Sequence, residues 1–242
     1  MINDGLNSVD KLVSSVLMIG QSNMAGRGDI DDVEPIENPN CYMLRMARWQ
    51  PMSEPINPDR SMFKGKFKSG VSLAASFADD FANHINAPVG LIPCADGGTK
   101  LKQWMPGELL FDHAVAMTKL AQRTSELKCI IWHQGESDLK NEESVTTYKE
   151  RFIEMITKLR EELDAHDVPV IIGELSHSPD PDNYERSNHF KLNSVFSEIA
   201  KELTLCSVAS SDGLILKADN LHFNSVSLRE FGHRYFKEFL EF

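Results

Sequence analysis

The sequence predicts an α/β fold: a flavodoxin-like, three-layer α/β/α arrangement around a mainly five-stranded parallel sheet. Short apolar runs of strand length alternate with longer segments in which apolar residues recur every three or four positions. The short runs are apolar almost throughout, which is typical of parallel strands covered on both faces. The 242 residues suit one domain of this class, so we treat residues 1–242 as a single domain.

The five strands are predicted from runs rich in Val, Ile, Leu and Cys. The first run ends at Gly20, where the chain has to turn. In a doubly wound parallel sheet the functional site lies beyond the carboxyl ends of the strands. The five predicted strands are residues 16–19, 89–94, 129–132, 168–172 and 203–209.

The predicted helices lie between and after these strands. Leu73, Phe77 and Phe81 form one apolar stripe, and a longer stripe covers residues 148–163. The last helix is expected to begin near Ser227, a plausible N-cap, with aromatic residues on its buried side. The remaining predicted helices are residues 109–127 and 188–203.

Residues 29–69 form a proline-rich segment with little periodicity, which we interpret as a surface excursion near the active site. Two interpretations remain open: the segment forms a wall of the substrate cleft, or it is a solvated loop without a catalytic role. Its basic and aromatic residues are Arg45, Arg48, Trp49, Arg60, Lys64, Lys66 and Lys68.

The composition excludes several function classes. A net charge of −11 argues against a nucleic-acid partner and favours a neutral or weakly charged substrate. No apolar run has the length of a membrane span, so no membrane partner is expected. Residues 1–11 do not resemble a signal peptide, so a cytoplasmic location is expected, or secretion if a leader has been removed. The sequence does not indicate an oligomeric state.

The four cysteines show no metal-binding or disulfide spacing, and we expect them to be small buried apolar residues. They are Cys41, Cys94, Cys129 and Cys206. No cofactor is expected. His133 and Glu136 could suggest a metal pair, but no further ligands at a recognisable spacing accompany them.

Ser22 directly follows the first predicted strand through a tight, small-residue turn. A serine hydroxyl at such a strand end becomes a nucleophile if a histidine removes its proton and donors stabilise the oxyanion. The segment is not a G-x-S-x-G elbow, because Met24 occupies the last glycine position. By spacing alone, Ser22 is equally well explained as a helix N-cap.

Asp219 and His222 lie three residues apart in a turn before the final helix. The carboxylate could hold one ring nitrogen of the imidazole and leave the other free to accept a serine proton. The alternative is a solvated aspartate beside a half-buried histidine.

Residues 132–138 read WHQGESD and follow the third predicted strand. Gln134 could donate amide hydrogens to an oxyanion, and Glu136 could position another residue or a substrate hydroxyl. After the second strand, Gly97 and Gly98 permit a tight turn and close approach of a ligand to the backbone. Gly70 precedes a helical stripe, where backbone N–H groups could face an anion.

Together these motifs resemble the SGNH/GDSL hydrolase superfamily, and within it the carbohydrate esterases similar to sialate O-acetylesterase and acetylxylan esterase. The resemblance covers residues 16–236. It rests on the order GQSNM at 20–24, Gly70, WHQGESD at 132–138, and Asp219-x-x-His222-Phe223.

The resemblance implies Ser22 as nucleophile, His222 as base and Asp219 as the residue that orients it, with Glu136 as a rival for the acidic role. It also implies an oxyanion hole from the backbones of Ser22 and Gly70 and from the side chain of Gln134, where the wider superfamily has asparagine. The residues expected to contact the substrate are Gln21, Asn23, Gly97, Gly98, Thr99 and Glu136.

The function implied by the resemblance is a serine esterase that removes O-acetyl groups from carbohydrates, such as acetylated xylo-oligosaccharides, through an acetyl-serine intermediate. Three alternatives stay open: an O-acetyl sialic acid esterase, a lipase or thioesterase of the same fold, and a non-catalytic carbohydrate-binding protein.

Overall fold

The structure is a computed structural model that describes residues 13–58, 68–177 and 184–242. Its centre is a seven-stranded sheet with the strand order β3-β2-β4-β1-β5-β6-β7. The strands are β1 (Val13–Gly20), β2 (Cys41–Arg45), β3 (Arg48–Pro51), β4 (Val89–Pro93), β5 (Ser125–His133), β6 (Val170–Gly173) and β7 (Cys206–Ala209). The helices are α1 (Ser22–Ala25), α2 (Leu73–Ile85), α3 (Leu109–Ala121), α4 (Glu142–Thr146), α5 (Tyr148–Leu163), α6 (Tyr184–Glu202) and α7 (Ser225–Phe239), with short 3-10 turns at Ile30–Asp32 and Leu101–Trp104.

The predicted fold class is confirmed. The five predicted strands correspond to β1, β4, β5, β6 and β7, and they pair in parallel in the order β4-β1-β5-β6-β7. Numbered among themselves, these five strands have the order 2-1-3-4-5, which is the flavodoxin-like arrangement.

The sheet has two more strands than predicted, and both come from the proline-rich segment 29–69. β2 pairs in parallel with β4, and β3 pairs in antiparallel fashion with β2 at the edge of the sheet. Met46 and Ala47 form the two-residue turn between them, with φ values of 51° and 62°. Such turns usually contain glycine or asparagine, so the sequence lacked the usual hairpin signal.

Trp49 fixes this hairpin to the rest of the sheet. A Cβ atom placed on Gly90 of β4 would lie 2.3 Å from the Trp49 ring, so the indole packs directly on the glycine. Its Nε1 donates a hydrogen bond to Thr124 Oγ1 at 3.1 Å. Part of the segment is therefore structural, whereas Arg60, Lys64 and Lys66 lie outside the described residues.

The five predicted helices are present as α2, α3, α5, α6 and α7, with differences at some of their ends; α6, for example, begins at Tyr184 rather than at residue 188. α3 ends at Ala121, because Leu127 already belongs to β5. The N-cap of α7 is Asn224, whose side chain accepts a hydrogen bond from the Ser227 backbone N–H at 2.8 Å. The Ser227 hydroxyl instead accepts from the Ile215 backbone N–H at 2.8 Å.

Helices cover both faces of the sheet. Alternate residues of β1 enter opposite cores, with Leu17 on the side of α3, α5 and α6 and Val16 on the side of α2 and α7. On the second side, the rings of Phe77 and Phe236 pack edge to face with centroids 5.9 Å apart. All four cysteines are free thiols and buried, as predicted. In the described part of the chain, no helix combines the length and apolar character needed to cross a bilayer.

Candidate active site

The carboxyl ends of the central strands are joined to one another by backbone hydrogen bonds. After β1, the Gln21 N–H donates to His133 O at 2.8 Å, and the Asp96 N–H donates to Gly20 O at 2.9 Å. Gly20 has a φ of 128°, and a Cβ atom there would lie 2.2 Å from His133 O. Only glycine permits this close approach, which brings the ends of β1, β4 and β5 into one site.

Ser22, His222 and Asp219 form a continuous chain of side-chain hydrogen bonds. The Ser22 hydroxyl lies 3.0 Å from His222 Nε2, and His222 Nδ1 lies 2.7 Å from Asp219 Oδ2. Ser22 is the first residue of α1, and the N-cap position belongs to Gln21, so Ser22 is not the helix cap that its spacing also allowed. The arrangement can deliver the serine proton to Nε2 while the carboxylate holds the other ring nitrogen.

The loop that carries His222 is shaped by its own hydrogen bonds. Asp219 Oδ1 accepts from the backbone N–H groups of Leu221 at 3.0 Å and His222 at 2.9 Å. Burial alone would raise the pKa of Asp219, but these N–H groups and the imidazole outweigh it and place the pKa below its ordinary value. Asp219 is therefore ionised at neutral pH.

Glu136, the rival acidic residue, has other partners. Its Oε1 accepts from Asn23 Nδ2 at 2.8 Å and lies 3.3 Å from His133 Nε2. Burial would raise the pKa of Glu136, but the contacts with His133 and Asn23 lower it to about 2. Of the two acidic candidates, Asp219 is the one that is hydrogen-bonded to His222.

Gln134 is fully buried and its amide group is occupied by protein partners. Nε2 donates to Thr99 O at 2.9 Å and to Asp138 Oδ2 at 2.6 Å, and Oε1 accepts from the Tyr148 hydroxyl at 2.7 Å. An amide nitrogen has two hydrogens, and both are used here. The prediction that Gln134 donates to the oxyanion therefore needs correction, because in this structure it connects the loops after β4 and β5.

The prediction for Gly70 also needs correction. Its backbone N–H donates to Gly26 O at 3.2 Å, so it is not available to an oxyanion. A Cβ atom on Gly70 would lie 2.0 Å from Gly28 O, which shows that the glycine is needed for the packing of two backbone segments.

Gly97 lies beside Ser22. A Cβ atom on Gly97 would lie 3.5 Å from Ser22 Cβ and 2.5 Å from Arg27 Nη2. Gly98 is exposed, with a φ of 74°, and a Cβ atom there would meet no other atom within 4 Å. Gly97 therefore borders Ser22, whereas no contact places Gly98 beside it, and the substrate-binding role of both glycines stays a prediction.

The other predicted substrate-binding residues are engaged inside the protein. The Thr99 hydroxyl donates to Asp96 O at 2.7 Å and accepts from Trp104 Nε1 at 3.0 Å. Gln21 is buried, with its Oε1 3.4 Å from Gln134 Nε2. Asn23 is buried, and its amide group is hydrogen-bonded to the Glu136 carboxylate and to the Phe223 backbone N–H.

Two residues near the site were not singled out in the sequence. Arg27 packs its guanidinium on Gly97, although its position five residues after Ser22 carries no motif that indicates this. Asp138 ends the WHQGESD segment and accepts from the Leu101 backbone N–H at 2.9 Å as well as from Gln134. Among the described residues, no group of three or more His, Cys, Asp or Glu side chains is placed to hold a metal ion.

Comparisons with known proteins identify the family and the fold. A sequence model described as carbohydrate esterase, sialic acid-specific acetylesterase matches residues 13–241. A probable carbohydrate esterase of Arabidopsis thaliana is 30% identical over 235 residues, covering 89% of this chain and 86% of the relative. The X-ray structure of that plant protein has a TM-score of 0.83 at 26% identity, over 96% of this chain and 99% of the other. The crystal structure of NanS has a TM-score of 0.74 at 18% identity, over 95% and 97% of the two chains, and shows a shared fold.

Proposed function

The chain belongs to the sialic acid-specific acetylesterase family of carbohydrate esterases, and from this premise we propose that it removes O-acetyl groups from carbohydrates through an acetyl-serine intermediate. The observation that carries the proposal is the hydrogen-bonded chain Ser22–His222–Asp219 at the carboxyl end of β1. Family membership supports esterase chemistry in general, and the geometry supports these three residues as its catalytic set.

In the first step, the Ser22 hydroxyl attacks the acetyl carbonyl carbon while His222 Nε2 accepts its proton. The imidazolium that forms keeps its Nδ1–H on the Asp219 carboxylate. When the tetrahedral intermediate collapses, the sugar oxygen leaves and takes the proton from Nε2. Water then attacks the acetyl-serine ester, His222 again accepts and returns a proton, and acetate is released.

The oxyanion requires donors beside Ser22, and two of those expected from the sequence are used elsewhere. We assign this role to the backbone N–H of Ser22, which has no acceptor within its own helix because it lies in the first turn. The backbone N–H of Gly97 is the second donor, since this residue borders Ser22. Gln134 supports this arrangement indirectly, because its amide nitrogen donates to Thr99 O in the loop that carries Gly97.

The test measures acetate release from p-nitrophenyl acetate and from acetylated sugars. Ser22→Ala and His222→Ala should each lower kcat by about 10⁴-fold or more, because the members of such a set act as a unit. Ser194→Ala is the matched control, because Ser194 is exposed on α6 and its hydroxyl donates to Phe190 O in its own helix. A folded Ser22→Ala variant with full activity would overturn the proposal.

For the sugar, we propose a neutral acetylated oligosaccharide such as an acetylated xylo-oligosaccharide, since the chain carries a net charge of −11. The leading alternative is an O-acetylated sialic acid, which is anionic. Two observations favour this alternative: the description of the family and the Arg27 guanidinium beside Gly97.

The two sugars can be distinguished with one variant. If the substrate carboxylate contacts Arg27, Arg27→Gln should lower kcat/KM for O-acetylated sialic acid by about 10–100-fold, the value of a charge-assisted hydrogen bond. The same variant should change kcat/KM for acetylated xylo-oligosaccharides by a smaller factor. A series of p-nitrophenyl esters from acetate to octanoate separates both from a lipase or thioesterase, which would prefer the longer chains.

A further inference from the structure

Asn23 is the neighbour of the nucleophile, yet its side chain faces the protein interior. The residue lies in α1 with 1% of its surface exposed. Its amide oxygen accepts from the Phe223 backbone N–H at 3.1 Å, and its amide nitrogen lies 3.4 Å from Leu221 O. These two contacts hold the chain on both sides of His222.

Glu136 sets the direction of this amide. Nδ2 of Asn23 donates to Glu136 Oε1 at 2.8 Å, and a carboxylate can only accept a hydrogen bond at neutral pH. Because the nitrogen has to face Glu136, the oxygen has to face the Phe223 N–H. A reversed amide would place its oxygen against the carboxylate and its nitrogen against an N–H donor.

We propose that Asn23 and Glu136 are a pair of positioning residues, in which the Glu136 carboxylate orients the Asn23 amide and the amide holds the His222 loop against the helix that carries Ser22. Neither side chain touches the substrate. Three segments distant in the sequence meet in this pair: helix α1 after β1, the loop after β5, and the loop before α7.

The geometry explains why such a pair is needed. His222 lies on a loop that contains Asn220 with a φ of 56°, whereas Ser22 lies at the end of the central strand. Proton transfer depends on the 3.0 Å separation of Ser22 Oγ and His222 Nε2. A displacement of about 1 Å can cost about 10²-fold in rate. Asn23 connects the two elements directly. It follows Ser22 in the sequence, and its side chain contacts the residues on either side of His222.

The inference rests on the proposed function, because Ser22 and His222 have to be the reacting pair. Asn23→Ala should lower kcat for p-nitrophenyl acetate by about 10–100-fold with an unchanged KM. Substitution of a residue that contacts the substrate would raise KM instead. Asn193→Ala is the matched control, because Asn193 is also buried and holds both the N–H and the C=O of Leu175 with its amide, at 2.8 and 2.9 Å. Asn193→Ala should lower Tm by about as much as Asn23→Ala does, and it should leave kcat unchanged.

An exchange of the two polar groups provides the decisive measurement. Asn23→Asp places two carboxylates in contact and should lower kcat, and Glu136→Gln removes the group that orients the amide and should also lower it. The double variant Asn23→Asp/Glu136→Gln restores a donor–acceptor contact between the two side chains at nearly unchanged volume, and an acceptor again faces the Phe223 N–H, whereas the longer contact with Leu221 O is lost. Its kcat should recover at least tenfold over Asn23→Asp.

The outcomes separate this inference from the proposed function. If Ser22→Ala abolishes hydrolysis while Asn23→Ala keeps the full kcat, the positioning role is wrong and the esterase mechanism stands. A raised KM with unchanged kcat in Asn23→Ala, or the absence of recovery in a folded double variant, would likewise overturn it. If Ser22→Ala keeps full activity, the proposed function fails first, and the positioning role fails with it.

Discussion

Gly97 lies against Ser22 so closely that a Cβ atom on the glycine would be in van der Waals contact, 3.5 Å from Ser22 Cβ. The first prediction concerns Gly97→Ala. Arg27 Nη2 is the flexible end of a long side chain and can move away from the added methyl group, so we expect little change in Tm. The methyl group narrows the space beside the nucleophile, and kcat/KM for p-nitrophenyl acetate should fall by about 10-fold or more.

Gly98→Ala is the informative comparison for this variant. Its Cβ atom would meet open space, but the φ of 74° is strained for alanine. Gly98→Ala should therefore lower the free energy of unfolding by about 1–2 kcal/mol without crowding Ser22. Full activity in Gly97→Ala would show that the acyl group does not use the space next to Gly97.

The second prediction concerns Asp219→Asn. The amide oxygen of the variant would take over the N–H groups of Leu221 and His222, and its nitrogen would then donate to His222 Nδ1. This forces the ring proton onto Nε2, which can no longer accept the proton of Ser22. We expect kcat to fall by about 10⁴-fold with an intact fold.

Asp164→Asn serves as the control for the same chemical change. Asp164 ends α5 with a φ of 50°, a conformation that asparagine adopts readily. Both activity and Tm should stay close to those of the unchanged protein. An Asp219→Asn variant with near-normal kcat would mean that another group orients His222.

The third prediction concerns Gln134→Ala. Tyr148, Thr99 and Asp138 would each lose a buried hydrogen-bond partner, and an unsatisfied buried polar group costs about 1–3 kcal/mol. We therefore expect a loss of several kcal/mol in urea unfolding and a smaller change in kcat than an oxyanion donor would cause.

An oxyanion donor has the opposite signature, with a loss of about 10²–10³ in kcat at nearly unchanged stability. Tyr148→Phe tests the same hydrogen-bond network from the side of Tyr148. It removes only the hydroxyl that donates to Gln134 Oε1 and accepts from Trp132 Nε1. It should lower stability in the same direction as Gln134→Ala. A stable Gln134→Ala variant that has lost 10³-fold in kcat would restore the role expected from the sequence.

The fourth prediction concerns the pH dependence of folding stability through Glu136. Its pKa is lowered from 4.5 to about 2 in the folded state, so the ionised carboxylate stabilises the fold. The contribution, about 3 kcal/mol by linkage, is complete above pH 4.5 and is lost as the pH falls toward 2. The difference in unfolding free energy between the unchanged protein and Glu136→Gln should accordingly shrink over this range.

The comparison with Glu136→Gln is necessary because other groups titrate in the same region. Burial raises the pKa of Asp138 despite its hydrogen bonds with Gln134 and Leu101, so its contribution has the opposite sign. Subtracting the two unfolding curves removes that contribution. A difference that stays constant from pH 6 to pH 2.5 would contradict the assigned pKa of Glu136.

The central part of the fold could be predicted because its strands are buried on both faces and read as continuous apolar runs. α5 was predicted with its observed ends, since its stripe is long and regular. The hairpin of β2 and β3 could not be predicted, because its turn contains Met46 and Ala47 at positive φ, and the tertiary packing of Trp49 on Gly90 stabilises it. Sequence patterns do not report such distant contacts.

For the site, the sequence indicated that Ser22, His222 and Asp219 meet, but not how the residues around them are used. Asn23, Gly70 and Gln134 all lie in segments that the motifs identified. Their roles depend on which neighbour takes each N–H and C=O group, and that is decided by backbones that meet only in the folded chain. The order of the motifs therefore predicts which segments lie near the site more reliably than it predicts the hydrogen-bond partners of their residues.

The short strand β3 has a consequence for behaviour at high concentration. An exposed sheet edge offers unpaired backbone groups to other chains and is a common starting point for aggregation. Here the outermost strand has only four residues, with Arg48 and Pro51 exposed at its two ends. A charge and a residue without an N–H group both disfavour the addition of a further strand, so the hairpin keeps the apolar strand β4 from becoming an edge that another molecule could extend.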